Sequence, residues 1–265
     1  MIDPARALRL EIRSGRHTGL TTGHAPGHVQ ANLVVLPQQH VDDFLAYCHL
    51  NAFACPVLGV GEVGSPQIPA LGIDLDVRTD LAGYHIQGAG SSVQAVTNIV
   101  SLWRGDLVPI AIGCWFSMED ALLAAGVRLR HIELGIQGPL FVTTVPTRSE
   151  GIFGGPLVVS MRPFAKESVA KVSQVTQRFP RVHGGPIHVG DPAALGICDV
   201  SKPDFGELLM PLPDEVPMYW GCGLTATSAL QRSGIDFFIT HAPGKMLVTD
   251  LLNASFETKP EGALA

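Results

Sequence analysis

VPIAIGCWFSMEDALLAAG, residues 108–126, is the stretch that decides the fold class. A continuous apolar run (LVPIAIG, 107–113) is followed by Gly-Cys and then by a segment with helical periodicity (SMEDALLAAG, 117–126). That reads as a strand passing through a tight turn into a helix. Ser117 with Asp120 resembles a capping box, and Gly126 is a natural helix stop. The same alternation continues in both directions. Helical periodicity marks 3–15, 41–51, 164–179 and 224–234, the last ending at Gly234. Short apolar runs read as strands at 31–36, 139–145, 156–161, 186–190, 216–221, 236–240 and 246–250. Interleaved helices and strands make the class α/β. Runs that are continuously apolar rather than alternating predict strands covered on both faces, in mixed sheets.

The deciding stretch has an echo. VPMYWGCGLTATSALQRSG (216–234) aligns with 108–126 without gaps, sharing V, P, G, C, A, L and G. Collinear with it, PALGID (69–74) meets AALGICD (193–199), and GPLFVTT (138–144) meets GKMLVTD (244–250). Read as a duplication, the matches predict two interlocked α/β subdomains whose interface favours a pocket. The expected organisation is one globular unit over 1–265. Its larger, discontinuous subdomain comprises 1–51 with 149–265, and a smaller one, 52–148, is inserted.

Composition excludes several classes. Hydrophobic residues make up 46% and charged residues 16% of the 265, which suits a globular chain rather than a disordered one. A formal charge of −6 without a Lys/Arg-rich run argues against nucleic acid as a partner. The longest apolar run, 107–116, is about half of the ~20 residues that a membrane helix needs. The opening MIDPARALRLEIRSGRHTG lacks a signal-peptide core, and the five cysteines are odd in number with no CxxC pair. A reduced, cytoplasmic protein is expected, with a homo-oligomer as a candidate state.

Candidate chemistry gathers at the Gly/Pro-rich ends of strands. In WGCGLT (220–225), Gly221, Cys222 and Gly223 precede a helix, where free N–H groups favour an anion or an oxyanion and would depress a thiol pKa. The bland alternative is a tight strand-to-helix turn with Cys222 as packing. FPRVHGGPIHVGDP (179–192) offers His183 and His188 as proton carriers and Asp191 as their partner. Alternatively, each histidine bonds a loop carbonyl and Asp191 caps the following turn. No third ligand completes a metal set at a familiar spacing, so no metal and no cofactor are expected. Arg162 in SMRP, just past an apolar strand, suits a carboxylate. His241 and Lys245 stand in THAPGKMLVTD (240–250), whose HAPG recurs at 24–27 before another apolar run and predicts a shared turn. Read from the residues alone, the pattern reaches a His/Arg-lined pocket for a small anionic substrate.

Several long stretches resemble a bacterial family named "putative hydro-lyase". They are GHAPGHVQANLVVLP, CPVLGVGEVGSPQIPALGIDLDVRTDL, GPLVVSMRP, RFPRVHGGPIHVGDPAALGICD and THAPGKMLVTDLLN, which together span about Arg13 to Asn253. A similar domain occurs in the mitochondrial D-glutamate cyclase of vertebrates, which converts D-glutamate to 5-oxo-D-proline with loss of water. The resemblance implies carbon–oxygen lyase chemistry on a small carboxylic or amino acid and a two-subdomain α/β fold. The chain also departs from the family. NAFACP (51–56) stands where members carry a lysine-bearing NPKPCP-like stretch, and ELGIQGPLFVTT (133–144) replaces a more polar run. If those groups contact substrate, the departures imply either a changed substrate or lost activity, the latter favouring a binder. Three functions therefore compete: a hydro-lyase, a non-catalytic sensor of small carboxylates, and cysteine-dependent acyl chemistry at Cys222.

Overall fold

A computed structural model describes residues 2–88, 90 and 92–258. Its strands form two sheets. The first has seven strands: β1 (His28–Pro37), β2 (Val57–Val60), β3 (Tyr84–Gln87), β4 (Gln94–Val96), β5 (Leu107–Gly113), β10 (Phe238–His241) and β11 (Leu247–Leu252). They run in the order β2-β5-β1-β10-β3-β4, with β11 also pairing β1. The second has four strands, in the order β6-β7-β9-β8: β6 (Leu140–Pro146), β7 (Pro156–Ala165), β9 (Glu215–Gly221) and β8 (His188–Val189). Six helices complete the α/β fold: α1 (Pro4–Arg13), α2 (Val41–Leu50), α3 (Glu119–Ala124), α4 (Arg130–Leu134), α5 (Val169–Gln177) and α6 (Leu224–Arg232).

Every described strand pairing is antiparallel, which corrects the expectation of mixed sheets. The physical basis of that expectation nevertheless holds. All ten residues of β1 and all seven of β5 are buried. In β1, Val29, Ala31, Leu33 and Val35 enter one core, while Val34 and Leu36 enter another. Period-two alternation delivers side chains to both faces, so a strand with two covered faces reads as continuously apolar whatever its direction.

Part of the sequence echo has a structural counterpart. β5 leads into α3 as β9 leads into α6, and each is preceded by a 3-10 turn (Pro69–Leu71, Pro192–Leu195), but β3 and β4 intervene before β5 only, and α4 precedes β6 where β10 precedes β11. The matched strands lie in opposite sheets: β5 and β11 in the first, β9 and β6 in the second. The HAPG turns also agree. The Ala25 carbonyl accepts from His28 N–H and the Ala242 carbonyl accepts from Lys245 N–H, with Gly27 and Gly244 at φ of 82° and 71°.

Two local expectations shift. Ser117 does not cap α3, because its hydroxyl is exchanged with the Gln30 backbone across β1 (2.9 and 3.0 Å), and Trp115–Met118 form a 3-10 turn. The helix expected from 164 begins at 169, because Phe164 and Ala165 extend β7 to match Val216 and Glu215.

Candidate active site

Strand alternation places Ser160 and Arg162 on one face of β7, two residues apart, and both line a small cavity of about 30 Å³. Its other walls include Asn32 from β1, Cys114 and Trp115 after β5, His183, Cys222 and Gly223 between β9 and α6, and His241 at the end of β10. The two echoed Gly-Cys turns thus deliver their cysteines to the same space. Of the nine expected site residues, five meet here: Arg162, His183, Cys222, Gly223 and His241.

Arg162 is 2% exposed. Its Nη1 donates to the Met161 carbonyl (2.7 Å) and its Nη2 to the Gln137 carbonyl (2.6 Å), while Nε has no partner. The guanidinium lies 4.9 Å from the centre of the Trp115 ring, a cation–π contact. Gly138, at φ 85°, makes room for it, since a Cβ there would stand 2.8 Å from Nη1. Among the described residues no carboxylate lies within ion-pair distance of Arg162. Burial accordingly pushes its pKa down to about 10, partly offset by the charge of Glu119. Ser160 Oγ and Trp115 Nε1, on the same walls, are also buried without partners. A buried cation and two unpartnered polar atoms thus share the walls of one small cavity.

Both histidines are neutral. His183 Nδ1 stands 3.1 Å from the Phe53 carbonyl, and burial lowers the ring to about 4 against the pull of the Phe53 and Gly113 carbonyls. Its φ of 91° is rare for a side-chain-bearing residue. His241 is lowered to about 4 by burial as well, with Leu33 N–H donating to its Nδ1 at 3.3 Å. The start of α6 comes within reach because Gly223 lacks a side chain, since a Cβ there would fall 2.2 Å from Asn32 Nδ2. Asn32 is fixed in turn by donating to the Gly113 carbonyl at 2.8 Å.

Four expected residues lie elsewhere. His188 sits half-buried on the edge strand β8, with Nε2 2.7 Å from the Asp191 backbone carbonyl and its ring tilted against Tyr219. Asp191 is exposed and caps the turn at Ala193 N–H (3.0 Å). Lys245 donates to the Ala82 carbonyl at 3.3 Å. Gly221 lets residues 53–54 pack against β9, since a Cβ would lie 2.8 Å from the Phe53 carbonyl. The expected low thiol pKa is also reversed. Burial raises Cys222 to about 11, although Leu224 N–H, 3.5 Å from its sulfur, and the charge of Arg162 oppose this.

Sequence reasoning missed Asn32, Ser160 and Trp115, and behind Trp115 a buried pair. His131 Nε2 bonds Glu119 Oε1 at 2.8 Å, and its ring meets Trp115 edge-on. Thr22 Oγ1 and Gly23 N–H also donate to Glu119, at 2.9 and 3.1 Å. The readable signal was a polar residue inside a continuously apolar run: Asn32 in ANLVVL and Ser160 in PLVVSM.

Residues 108–250 match a family described as D-glutamate cyclase. A "Putative hydro-lyase" of Bordetella petrii is 49% identical over 250 residues, covering 94% of this chain and 95% of that protein. One from Rhodopseudomonas palustris is 47% identical over 250 residues, covering 94% and 92%. Among solved structures, a nitrogen repressor-like protein of Methanococcus jannaschii aligns with 89% of this chain and 92% of its own, at 11% identity and a TM-score of 0.38. Among the described residues no helix is long and apolar enough to cross a membrane.

Proposed function

The chain belongs to the hydro-lyase family that carries the D-glutamate cyclase domain, and on that premise we propose that it removes water from a small carboxylic or amino acid in the Arg162 cavity. The observation that carries the reading is a fully buried guanidinium with an unpartnered Nε and no carboxylate within ion-pair distance among the described residues. A substrate carboxylate supplies the missing counter-charge and meets Nε and Ser160 Oγ.

Dehydration requires a proton to leave one atom and another to reach the departing oxygen. A neutral imidazole can accept the first and return it to the second, and His183 and His241 are both neutral on the cavity wall. A carboxylate held by Arg162 brings negative charge beside them and raises their readiness to take a proton. Negative charge that develops on the reacting carboxyl faces the opening turn of α6 at Gly223. In an elimination, the C–H proton goes to the imidazole and hydroxide leaves with a proton as water. In the cyclising version, an amine attacks a carboxyl carbon to form a C–N bond and passes a proton to the imidazole, and the C–O bond breaks as the departing hydroxide takes that proton and leaves as water.

The cavity, at about 30 Å³, holds little more than a carboxylate group, so the rest of the substrate extends beyond it. Incubation with a panel of D- and L-amino acids and 2- and 3-hydroxy acids, followed by proton NMR, tests the proposal. The expected result is a product lighter than one panel member by one water. Binding without any product would instead support a carboxylate sensor.

A further inference from the structure

A second chamber of about 240 Å³ adjoins the Arg162 cavity, and Leu224, His241 and Pro243 line both. Its polar wall is made of His85, Gln87, Thr227, Ser228, Gln231 and Thr240. Val93 and Phe205 supply an apolar side. Among the described residues no Lys, Arg, Asp or Glu lines it, in contrast to the inner cavity with its buried guanidinium. The amides are locked into a chain: Gln231 Nε2 donates to Gln87 Oε1 (2.6 Å), and Gln87 Nε2 donates to Thr240 Oγ1 (3.1 Å). Lys245 lies beside His85 but spends its Nζ on the Ala82 carbonyl at 3.3 Å and does not reach the wall. Burial and the Lys245 charge both lower the pKa of His85.

We infer that this outer chamber holds the far end of the substrate and selects an uncharged, hydrogen-bonding tail, making the preferred ligand a monocarboxylate rather than a dicarboxylate. The argument rests on reading Arg162 as the carboxylate site. With the carboxylate seated there, a chain of a few carbons passes His241 and Leu224 into the outer chamber. A second carboxylate arriving there finds amides and hydroxyls but no cation, and loses hydration that those groups replace only in part. An amide or hydroxyl in the same place exchanges donors and acceptors with the glutamines and with Thr227 and Ser228.

Glutarate and its monoamide, glutaramate, have the same length and differ only in distal charge. Titration calorimetry of the whole chain at pH 7.5 and fixed ionic strength compares them directly. Glutaramate is expected to bind at least tenfold more tightly. Gln231→Arg, at an exposed position, adds a cation to the chamber rim and is expected to tighten glutarate severalfold, so that the preference for glutaramate over glutarate falls. Equal or tighter binding of glutarate by the wild type, or an unchanged ratio in Gln231→Arg, would overturn the inference. If neither probe binds yet the acid panel yields a dehydrated product, the chamber reading falls and the Arg162 reading stands. If neither binds and no panel member reacts, both fall.

Discussion

Replacing Arg162 by Met separates the cost of the buried charge from its use. At about 1.4 kcal/mol per pKa unit, the lowering of Arg162 to about 10 means that burial costs its charged form on the order of 3 kcal/mol. Met removes that cost but leaves the Met161 and Gln137 carbonyls without their donor, at about 1–3 kcal/mol each. The two effects oppose each other, so the unliganded variant should melt within a few degrees of the wild type. The liganded proteins should differ sharply. A carboxylate at one hundred times its dissociation constant stabilises the wild type by about 2.7 kcal/mol. Losing charge-assisted bonds of about 1.5–3 kcal/mol weakens binding roughly 10- to 150-fold, so the same concentration stabilises Arg162→Met by about 0.3–1.4 kcal/mol. Differential scanning fluorimetry with propionate, lactate and glutaramate reads this directly. Equal ligand-induced shifts in both proteins would refute the reasoning. So would an unliganded variant that is more than about 5 kcal/mol less stable, because the guanidinium would then serve the fold rather than a ligand.

Acid should unfold the protein earlier than its carboxylates require. His183 and His241 take a proton near 6.5 when unfolded but only near 4 when folded, so stability falls as pH drops from about 6.5 to about 4, by up to roughly 3 kcal/mol for each ring. Urea midpoints across that range should show the loss, and His183→Asn, which tolerates the left-handed backbone, should flatten part of it. An unchanged slope would contradict the neutral, buried assignment. With a pKa of about 11, only about one Cys222 thiol in ~3,000 is ionised at pH 7.5, so iodoacetamide should label exposed Cys198 first and Cys222→Ser should keep its turnover. Rapid labelling of Cys222 would revive thiol chemistry. Gly223→Ala should cut turnover at least tenfold with the fold retained by circular dichroism, because its methyl collides with the Asn32 amide at 2.2 Å. Full activity would show that the start of α6 can move away without consequence.

The α/β class and five of the six helices were legible because amphipathic periodicity is local. Several short strands were not. YHIQ in β3 and QAV in β4 are too brief and too polar to show a period, and they are strands because β10 and β3 offer them partners. Antiparallel pairing was hidden for another reason, since burial on both faces writes the same apolar run in either direction. Within the site, Arg162, His183 and His241 stood out as charged or titratable residues beside apolar runs, although Arg162 lies inside β7 and not past its end, because the strand continues to Ala165. His188 and Asp191 stood out equally, in the same Gly/Pro-rich stretch. Only the fold separates them, by turning His183 inward toward the Phe53 carbonyl and running His188 along the edge of β9. Glu119 and His131 carried no signal, because their pairing across twelve positions depends on how α3 and α4 pack.

The most direct test is the turnover of whichever panel acid loses water, measured side by side for the wild type, Arg162→Met and His188→Ala. With the reaction in the cavity and not on the exposed turn, kcat/KM is expected to fall at least a hundredfold in Arg162→Met and to stay within twofold of the wild type in His188→Ala. A fully active Arg162→Met, or a dead but folded His188→Ala, would contradict that placement.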